Sequence, residues 1–253
     1  MSRIDAVVFD MDGTLIDTEK LNVRFWCEAS SRFGFDMDPN DIVYIRSLDP
    51  RRSAEYLGSR YPGFVFDDVR EVRRELMQNH VDRFGIEPKP GVIDVLSYLR
   101  DKGVKTAVAT GTKQERADRY LGMIGASGLI DEIVSTSKVE HGKPEPDVYL
   151  YVCRSLGVRP EDTVAVEDAP FGIMSAYRAG CRVAMVPDLT PPDSEIEGML
   201  TWTCDSLSDI ADVVENETSR DAKASSSGLS ECRNMCRLLI LLSYHGANGY
   251  RKP

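Results

Sequence analysis

The sequence has no hydrophobic run long enough to cross a membrane. Its longest aliphatic run, Leu238–Leu242, is far shorter than the roughly 20 apolar residues that a transmembrane helix needs. No basic segment with a small-residue cleavage site precedes the first apolar run, which begins at Ile4, so the chain shows no secretory signal. We therefore expect a cytoplasmic protein without a membrane partner.

Paired cysteines and an excess of basic residues are also missing. The six cysteines form no CxxC pair, so we expect reduced thiols rather than a disulfide framework. Lys and Arg number 31 against 41 Asp and Glu, which gives a net charge of -10. This balance argues against a nucleic-acid partner, because such proteins usually present a basic face. It still permits a local positive site for a phosphorylated ligand.

Short apolar runs alternate with helical stretches, a pattern typical of an α/β fold with a parallel sheet. The predicted strands are Ile4–Asp10, Lys105–Thr110, Glu132–Ser135, Thr163–Glu167 and Arg182–Val186, with a weaker one near Leu200–Thr203. The predicted helices between and after them are Gly91–Lys102, Lys113–Ile124, Pro146–Leu156, Phe171–Ala179 and Ser206–Glu215.

A helical segment interrupts this alternation between the first and second strands. Its clearest helices are Glu19–Phe33 and Asp67–Phe84, and it shows almost no strand signal. The segment is too long for a plain crossover, and Pro88 and Pro90 restrict the chain where it ends. We expect a core of residues 1–17 and 88–217, a helical cap of residues 18–87, and a tail of residues 218–253. The tail begins with a serine-rich stretch that is typical of a flexible linker.

Chemically reactive side chains recur at the carboxyl ends of the predicted strands or in the loops that follow them. They are Asp10 and Asp12 after the first strand, Thr110 and Gly111 at the second, Lys143 after the third, and Glu167 and Asp168 at the fourth. Ligands of an open parallel sheet bind outside the carboxyl ends of its strands. These residues can therefore meet in one crevice.

The four carboxylates of this set need a cation if they share one crevice. Two like charges at about 4 Å repel by roughly 4 kcal/mol at an effective dielectric of 20. Mg²⁺ prefers hard oxygen ligands and commonly binds a substrate phosphate through one or two carboxylates. Lys143 adds a positive charge, and the Thr110 hydroxyl with backbone N–H groups near Gly111 can bind phosphoryl oxygens. The set predicts a Mg²⁺ site that binds a phosphoryl group.

The sequence resembles the haloacid dehalogenase superfamily, in particular its Mg²⁺-dependent phosphatases with a small helical cap, which are close to the β-phosphoglucomutases. Four motifs in the family's order carry the resemblance: DMDGT at Asp10–Thr14, VATGT at Val108–Thr112, GKPEPD at Gly142–Asp147 and VEDAPFGIMSAYRAG at Val166–Gly180. The resemblance implies a Rossmann-like core of three layers around the parallel sheet, with the cap inserted after the first strand.

The resemblance also implies a role for each motif residue. Asp10 would be the nucleophile that forms an aspartyl-phosphate, and Asp12 the general acid and base. Thr110 would hold the phosphoryl group, and Lys143 would neutralise Asp10 and the phosphate. The Mg²⁺ ligands would be Asp10, Asp12 through its backbone carbonyl, Asp168, and Glu167 directly or through water.

Departures from related families bear on the reaction. The presence of Asp12 argues against dehalogenation, and the lack of lysine between Leu21 and Pro88 argues against phosphonate cleavage through a Schiff base. Asn22 stands where related sugar phosphomutases carry a histidine. We therefore expect a monomeric phosphatase of a small metabolite, either a sugar phosphate or a nucleotide. A sugar phosphomutase and a non-catalytic phospholigand-binding protein remain as alternatives.

The predicted cap is rich in arginine. Arg46, Arg51 and Arg52 lie in the stretch IRSLDPRR, near where related caps place residues that face the substrate. We expect one of them, Arg51 in the first instance, to bind the substrate on its leaving-group side.

Overall fold

A parallel sheet of six strands lies at the centre of the computed structural model, which describes residues 3–46, 48 and 50–219. The strands are β1 (Ala6–Phe9), β2 (Lys105–Thr110), β3 (Glu132–Ser135), β4 (Thr163–Glu167), β5 (Arg182–Met185) and β6 (Trp202–Thr203). Their spatial order is β3-β2-β1-β4-β5-β6, and all neighbours are parallel. The strand β1 therefore lies between β2 and β4.

Alternating side chains of β1 belong to two separate apolar clusters, one on each face of the sheet. Val7 and Phe9 are buried on one face, and Val8 is buried on the other. Successive residues of a strand point to opposite faces, so a continuous apolar run indicates a strand that is covered on both sides. The structure accordingly has three layers, as the sequence predicts.

Helices cover both faces of this sheet. The first face packs against α5 (Val92–Asp101), α6 (Gln114–Met123) and the last helix, at 209–219. The second face packs against α7 (Asp147–Leu156), α8 (Pro170–Arg178) and the short α9 (Ser194–Glu197). The last helix, α10, begins three residues after its predicted start and continues to residue 219. The rest of the predicted tail, 220–253, lies outside the described residues.

Four helices form the insertion between β1 and β2: α1 (Glu19–Arg32), α2 (Pro39–Ile45), α3 (Pro50–Arg60) and α4 (Phe66–Phe84). They enclose an apolar cluster of their own, in which Trp26, Leu57 and Val69 are buried. The sequence indicates α1 and α4 clearly but not the short α2 and α3. The helix α2 begins at Pro39, and the Asp38 carboxylate before it accepts a hydrogen bond from the Asn40 backbone N–H at 2.9 Å.

The two segments that join the insertion to the sheet run side by side. The backbone N–H of Asp17 donates to the Glu87 carbonyl, and that of Lys89 donates to the Leu15 carbonyl, both at 2.9 Å. Lys89 Nζ also pairs with Asp17 Oδ1 at 3.1 Å and with Asp188 Oδ1 at 2.6 Å. The insertion is therefore anchored next to the carboxyl end of β1. No helix in the described part of the chain is long and apolar enough to cross a membrane.

Candidate active site

The sheet order brings the ends of β1, β2 and β4 to one edge. The Asp10 backbone N–H donates to the Val166 carbonyl at 2.9 Å, which fixes the start of the loop after β1 beside β4. A cavity of about 580 Å³ opens at this edge, between the sheet and the helical insertion. Its lining includes the predicted residues Asp10, Asp12, Gly111, Lys143, Glu167 and Asp168.

Lys143 links the two central strands at the floor of the cavity. Its Nζ lies 2.6 Å from Asp10 Oδ1, 2.6 Å from Glu167 Oε1 and 3.0 Å from the Ala109 carbonyl oxygen. Burial alone would lower the pKa of Lys143, but the charges of Asp10 and Glu167 outweigh burial and hold the pKa above its usual value. Lys143 is therefore a cation fixed against the predicted nucleophile.

Glu167 is enclosed by groups that leave it little freedom. The Tyr149 hydroxyl donates a hydrogen bond to Glu167 Oε1, the same oxygen that contacts Lys143. A Cβ atom added at Gly172, in the first turns of α8, would lie 2.0 Å from Glu167 Oε2. Only a residue without a side chain fits at position 172 while the carboxylate stays where it is. Burial raises the pKa of Glu167, against the opposing effects of Lys143 and Tyr149.

Asp12 is half-buried and is oriented by hydroxyl groups. Thr18 Oγ1 donates to Asp12 Oδ1 at 2.7 Å, and Thr112 Oγ1 donates to Asp12 Oδ2 at 2.8 Å. Thr110 Oγ1 lies 3.5 Å from Asp12 Oδ2 and accepts a hydrogen bond from the Thr112 backbone N–H at 3.0 Å. The Asp12 carboxylate is thus held at the cavity wall by both neighbouring loops.

Asp10, Glu167 and Asp168 form a buried group in which one carboxylate oxygen from each lies within 4.8 Å of the others. Burial raises the pKa of Asp10 and that of Asp168 to about 7, and the neighbouring carboxylates add to the effect. Gly13, with φ of +87°, allows this approach, because a Cβ there would lie 2.4 Å from Asp168 Oδ2. Clustered, desolvated oxygen ligands of this kind fit a small divalent cation.

Arg46, just after α2, reaches from the insertion into this group. Its Nη1 lies 3.0 Å from Asp168 Oδ2 and 3.9 Å from Glu19 Oε2, and its Nη2 donates to Thr190 Oγ1 at 3.2 Å. The side chain of Arg46 is only 7% exposed. Burial raises the pKa of Glu19 to about 8, with further increases from Asp168 and Asp12 and a decrease from Arg46. Arg46 therefore partly neutralises the acidic side of the cavity.

Two predicted residues lie outside the cavity wall. The Arg51 side chain is 78% exposed, lies 3.8 Å from Glu55 one turn along α3, and is not among the described residues that line the cavity. Of the three arginines in the stretch IRSLDPRR, Arg46 is the one among the described residues that line the cavity. Thr110 is fully buried, and the neighbouring Thr112 presents its side chain to the cavity instead.

Several residues of the site were not predicted. Thr112 belongs to the same motif as Thr110, so its proximity could have been inferred. Tyr149, which contacts Glu167, and Arg73, which lines the cavity, carry no sequence signal of their own, since each lies within an ordinary amphipathic helix. Their contribution depends on which helix face the fold turns toward the strand ends.

Comparison with known proteins identifies the family. The sequence model of the haloacid dehalogenase-like hydrolases matches residues 7–186, which is more than half of the chain. The chain belongs to this family. The resemblance to this family that the four sequence motifs indicate is therefore confirmed.

Two curated relatives of this haloacid dehalogenase-like hydrolase are phosphatases of Escherichia coli (strain K12). Hexitol phosphatase A is 31% identical over 203 residues, which cover 78% of this chain and 91% of the relative. Fructose-1-phosphate phosphatase YqaB is 30% identical over 183 residues, which cover 70% of this chain and 94% of the relative. These relatives confirm the assignment of the chain to the phosphoric monoester hydrolases of the family.

A solved structure supports the fold assignment. The crystal structure of CbbY from Rhodobacter sphaeroides in complex with phosphate matches this chain with a TM-score of 0.67 and 28% identity. The match covers 81% of this chain and 95% of CbbY. The Rossmann-like α/β fold that the sequence predicts is thus confirmed.

Proposed function

We propose that this haloacid dehalogenase-like hydrolase is a Mg²⁺-dependent phosphatase of a small phosphorylated sugar and that it acts through an aspartyl-phosphate on Asp10. One observation carries the proposal: Lys143 Nζ holds Asp10 Oδ1 at 2.6 Å, at the floor of a cavity whose wall also carries Asp12. The names of hexitol phosphatase A and fructose-1-phosphate phosphatase YqaB favour a sugar phosphate over a nucleotide.

The first step transfers the phosphoryl group to Asp10. An Asp10 carboxylate oxygen attacks phosphorus, the bond from phosphorus to the leaving oxygen breaks, and Asp12 donates its proton to that oxygen. The contact with Lys143 fixes the direction of the Asp10 carboxylate and offsets its charge as it approaches the dianion. Thr18 and Thr112 orient Asp12 for the proton transfer.

The second step hydrolyses the aspartyl-phosphate. Asp12, now a carboxylate, takes a proton from the attacking water, whose oxygen bonds to phosphorus. The bond between phosphorus and the Asp10 oxygen then breaks, which releases phosphate and restores Asp10. One residue thus serves as acid and then as base, so a substitution at Asp12 should slow turnover by about 10²–10⁴-fold.

Mg²⁺ is proposed at the buried group formed by Asp10, Glu167 and Asp168, with the Asp12 backbone carbonyl as a further ligand by family resemblance. When bound, the ion supplies positive charge that reduces the repulsion between the phosphoryl oxygens and Asp10. The raised pKa values of Asp10 and Asp168 support this assignment, because their burial is unfavourable for charged carboxylates without a cation.

We further propose that the insertion, residues 18–87, acts as a cap over the site. Arg46 joins the insertion to Asp168, and the insertion forms one wall of the cavity. Closing such a cap excludes bulk water from the aspartyl-phosphate, and opening it exchanges substrate and product. The paired segments at Asp17–Glu87 and Leu15–Lys89 are the points about which the cap would move.

Phosphate release across a panel of sugar phosphates and nucleotides tests this function. The assay is run with Mg²⁺ and with EDTA, on the wild type and on Asp10→Asn and Asp12→Asn. We expect Mg²⁺-dependent release from a sugar phosphate and its loss in both variants. Release from no compound would overturn the proposal, and isomerisation of a sugar phosphate in the same mixtures would identify a phosphomutase instead. Undiminished turnover by Asp12→Asn would remove Asp12 from its assigned role.

A further inference from the structure

The loop between β5 and α9 contacts the helical insertion and its attachment to the core. We call residues 186–193 the β5–α9 loop. Lys89, in the segment that leaves the insertion, donates from Nζ to Asp188 Oδ1 at 2.6 Å. Two residues further on, Thr190 Oγ1 accepts a hydrogen bond from Arg46 Nη2 at 3.2 Å. The loop therefore connects the attachment of the insertion to the arginine that the insertion places in the cavity wall.

The β5–α9 loop is fixed at both of its ends. At its start, the Val186 backbone N–H donates to the Glu167 carbonyl at 2.9 Å. At its end, the Asp193 carboxylate accepts hydrogen bonds from two backbone N–H groups of α9, at 3.0 and 2.9 Å. Three of its eight residues are prolines, which restrict the backbone between these ends. The Thr190 hydroxyl is therefore carried by a loop with little freedom to move.

The hydrogen bond from Thr190 helps to fix the plane of the Arg46 guanidinium. Arg46 Nη1 lies 3.0 Å from Asp168 Oδ2, and Nη2 lies 3.4 Å from the Asp168 carbonyl oxygen as well as 3.2 Å from Thr190 Oγ1. Because the guanidinium is planar, partners at both Nη atoms set its direction. An arginine side chain loses conformational entropy when it is held in one position, and these contacts offset that loss.

Thr190 differs from the carboxylates that lie next to Arg46. Asp168 and Glu19 both line the cavity, and Asp168 belongs to the proposed cation site. Thr190 is half-buried and is not among the described residues that line the cavity. Its hydroxyl is uncharged, so its hydrogen bond to Arg46 does not depend on the charge of the carboxylates. Thr190 can therefore affect a bound substrate through Arg46 without contacting it.

We propose that Thr190 is a positioning residue for substrate binding, because its hydroxyl holds the Arg46 guanidinium in the cavity wall and the β5–α9 loop supplies a rigid support. This inference rests on the proposed phosphatase function, in which the substrate lies in the cavity that Arg46 lines. It assigns a role to a segment that follows the last of the four sequence motifs, which ends at Gly180.

Two substitutions at Thr190 test the inference by kinetics with the best sugar phosphate of the panel. Thr190→Val keeps the shape of the side chain but removes the acceptor, so it should raise KM by about 3- to 10-fold and leave kcat within about twofold. Thr190→Ser keeps the hydroxyl, and its KM should stay within about twofold of the wild-type value. The matched control is Thr203→Val, at an exposed position of β6, which should change neither constant.

Two kinetic results would overturn the inference. The first is a KM for Thr190→Val equal to that of Thr190→Ser, since the hydroxyl would then have no effect on substrate binding. The second is a fall in kcat of Thr190→Val at an unchanged KM, because an effect on the chemical step would point to a disturbed cation site at Asp168.

A double-mutant cycle shows whether Thr190 acts through Arg46. Thr190→Val is combined with Arg46→Ala, and the wild type, the two single variants and the double variant are compared with the same sugar phosphate. We expect Thr190→Val to cause no further rise in KM when the Arg46 side chain is absent, since the effects of interacting residues are not additive. A rise by the same factor in both backgrounds would overturn the inference.

A measurement without substrate separates this inference from the proposed function. NMR relaxation of the Arg46 Nε–H group, assigned by its absence in Arg46→Ala, reports motion of the side chain on the picosecond to nanosecond timescale. We expect restricted motion in the wild type, Thr190→Ser and Thr203→Val, and greater mobility in Thr190→Val. This pattern would support the positioning role even if no sugar phosphate were hydrolysed. Equal mobility in Thr190→Val and the wild type would overturn it even if hydrolysis were confirmed.

Discussion

The carboxylate of Glu167 leaves no space for a side chain at position 172, so this position requires glycine. Glu167 can lie against Lys143 and Tyr149 only because α8 approaches it without a side chain at position 172. A Cβ atom added at Gly13 would likewise overlap the Asp168 carboxylate. Both glycines lie in the motifs from which the family resemblance was recognised, and the structure gives a steric reason for each.

Replacement of Gly172 by alanine should therefore disturb the site. The added Cβ would lie 2.0 Å from Glu167 Oε2, so Glu167 must move away from Lys143. We expect a loss of about 1–3 kcal/mol in the free energy of unfolding, together with a fall in kcat of at least about 10-fold. Urea unfolding and steady-state kinetics measure these effects.

Gly58→Ala is the matched control, because Gly58 lies within α3 and an added Cβ has open space there. That change should raise the free energy of unfolding by about 0.5–1 kcal/mol, since alanine is favoured within a helix. A Gly172→Ala variant as stable and active as the control would contradict the steric account.

Tyr149 should contribute to stability through its hydroxyl. It is fully buried and donates to Glu167, so Tyr149→Phe removes a donor to a buried carboxylate. We expect the free energy of unfolding to fall by about 1–3 kcal/mol. The control, Tyr44→Phe on the exposed face of α2, should change it by less than about 0.5 kcal/mol. Chemical denaturation of both variants measures the difference, and similar values would contradict the role of the Tyr149 hydroxyl.

At the scale of elements, the sequence predicts the strands better than the insertion. The strands β2, β3 and β4 have their predicted bounds, because their apolar runs are short and turn residues follow them. The short helices α2 and α3 were not predicted, since each contributes few apolar residues to the cluster around Leu57. The packing of α2 and α3 decides which arginine of the stretch IRSLDPRR lines the cavity. Arg46 and Arg51 look alike in sequence, but only Arg46 follows a helix end that meets Asp168.

The position of Arg46 in the cavity wall predicts a selective effect on substrate binding. Arg46→Ala should raise KM for the sugar substrate by about 10-fold or more, and should raise KM for p-nitrophenyl phosphate less, because the contact with Asp168 is lost for both substrates but only the sugar offers hydroxyl groups for Arg46 to bind. Arg51→Ala, at an exposed side chain of α3, should leave both KM values near those of the wild type. Equal increases for the two substrates in Arg46→Ala would contradict a role in binding the sugar.

At the scale of the whole molecule, the strand order explains why distant motifs meet. The chain order reverses at β1, which lies between β2 and β4, and ligands bind at such a switch point. The convergence of Asp10, Lys143 and Glu167 follows from this rule and was predictable. The presence of Arg70, Arg73 and Arg74 in the cavity wall was not, because it depends on how α4 is turned toward the core, and the net charge of -10 gives no sign of it.

The central claim is that Asp10 carries the phosphoryl group during turnover. Rapid acid quench of the wild type with Mg²⁺ and its best sugar phosphate, followed by peptide mass spectrometry, tests it most directly. The account predicts one phosphoryl group on the peptide that contains Asp10, and none in Asp10→Asn, which should also lose turnover. A phosphoryl group on another residue, or turnover at the wild-type rate in Asp10→Asn, would contradict it.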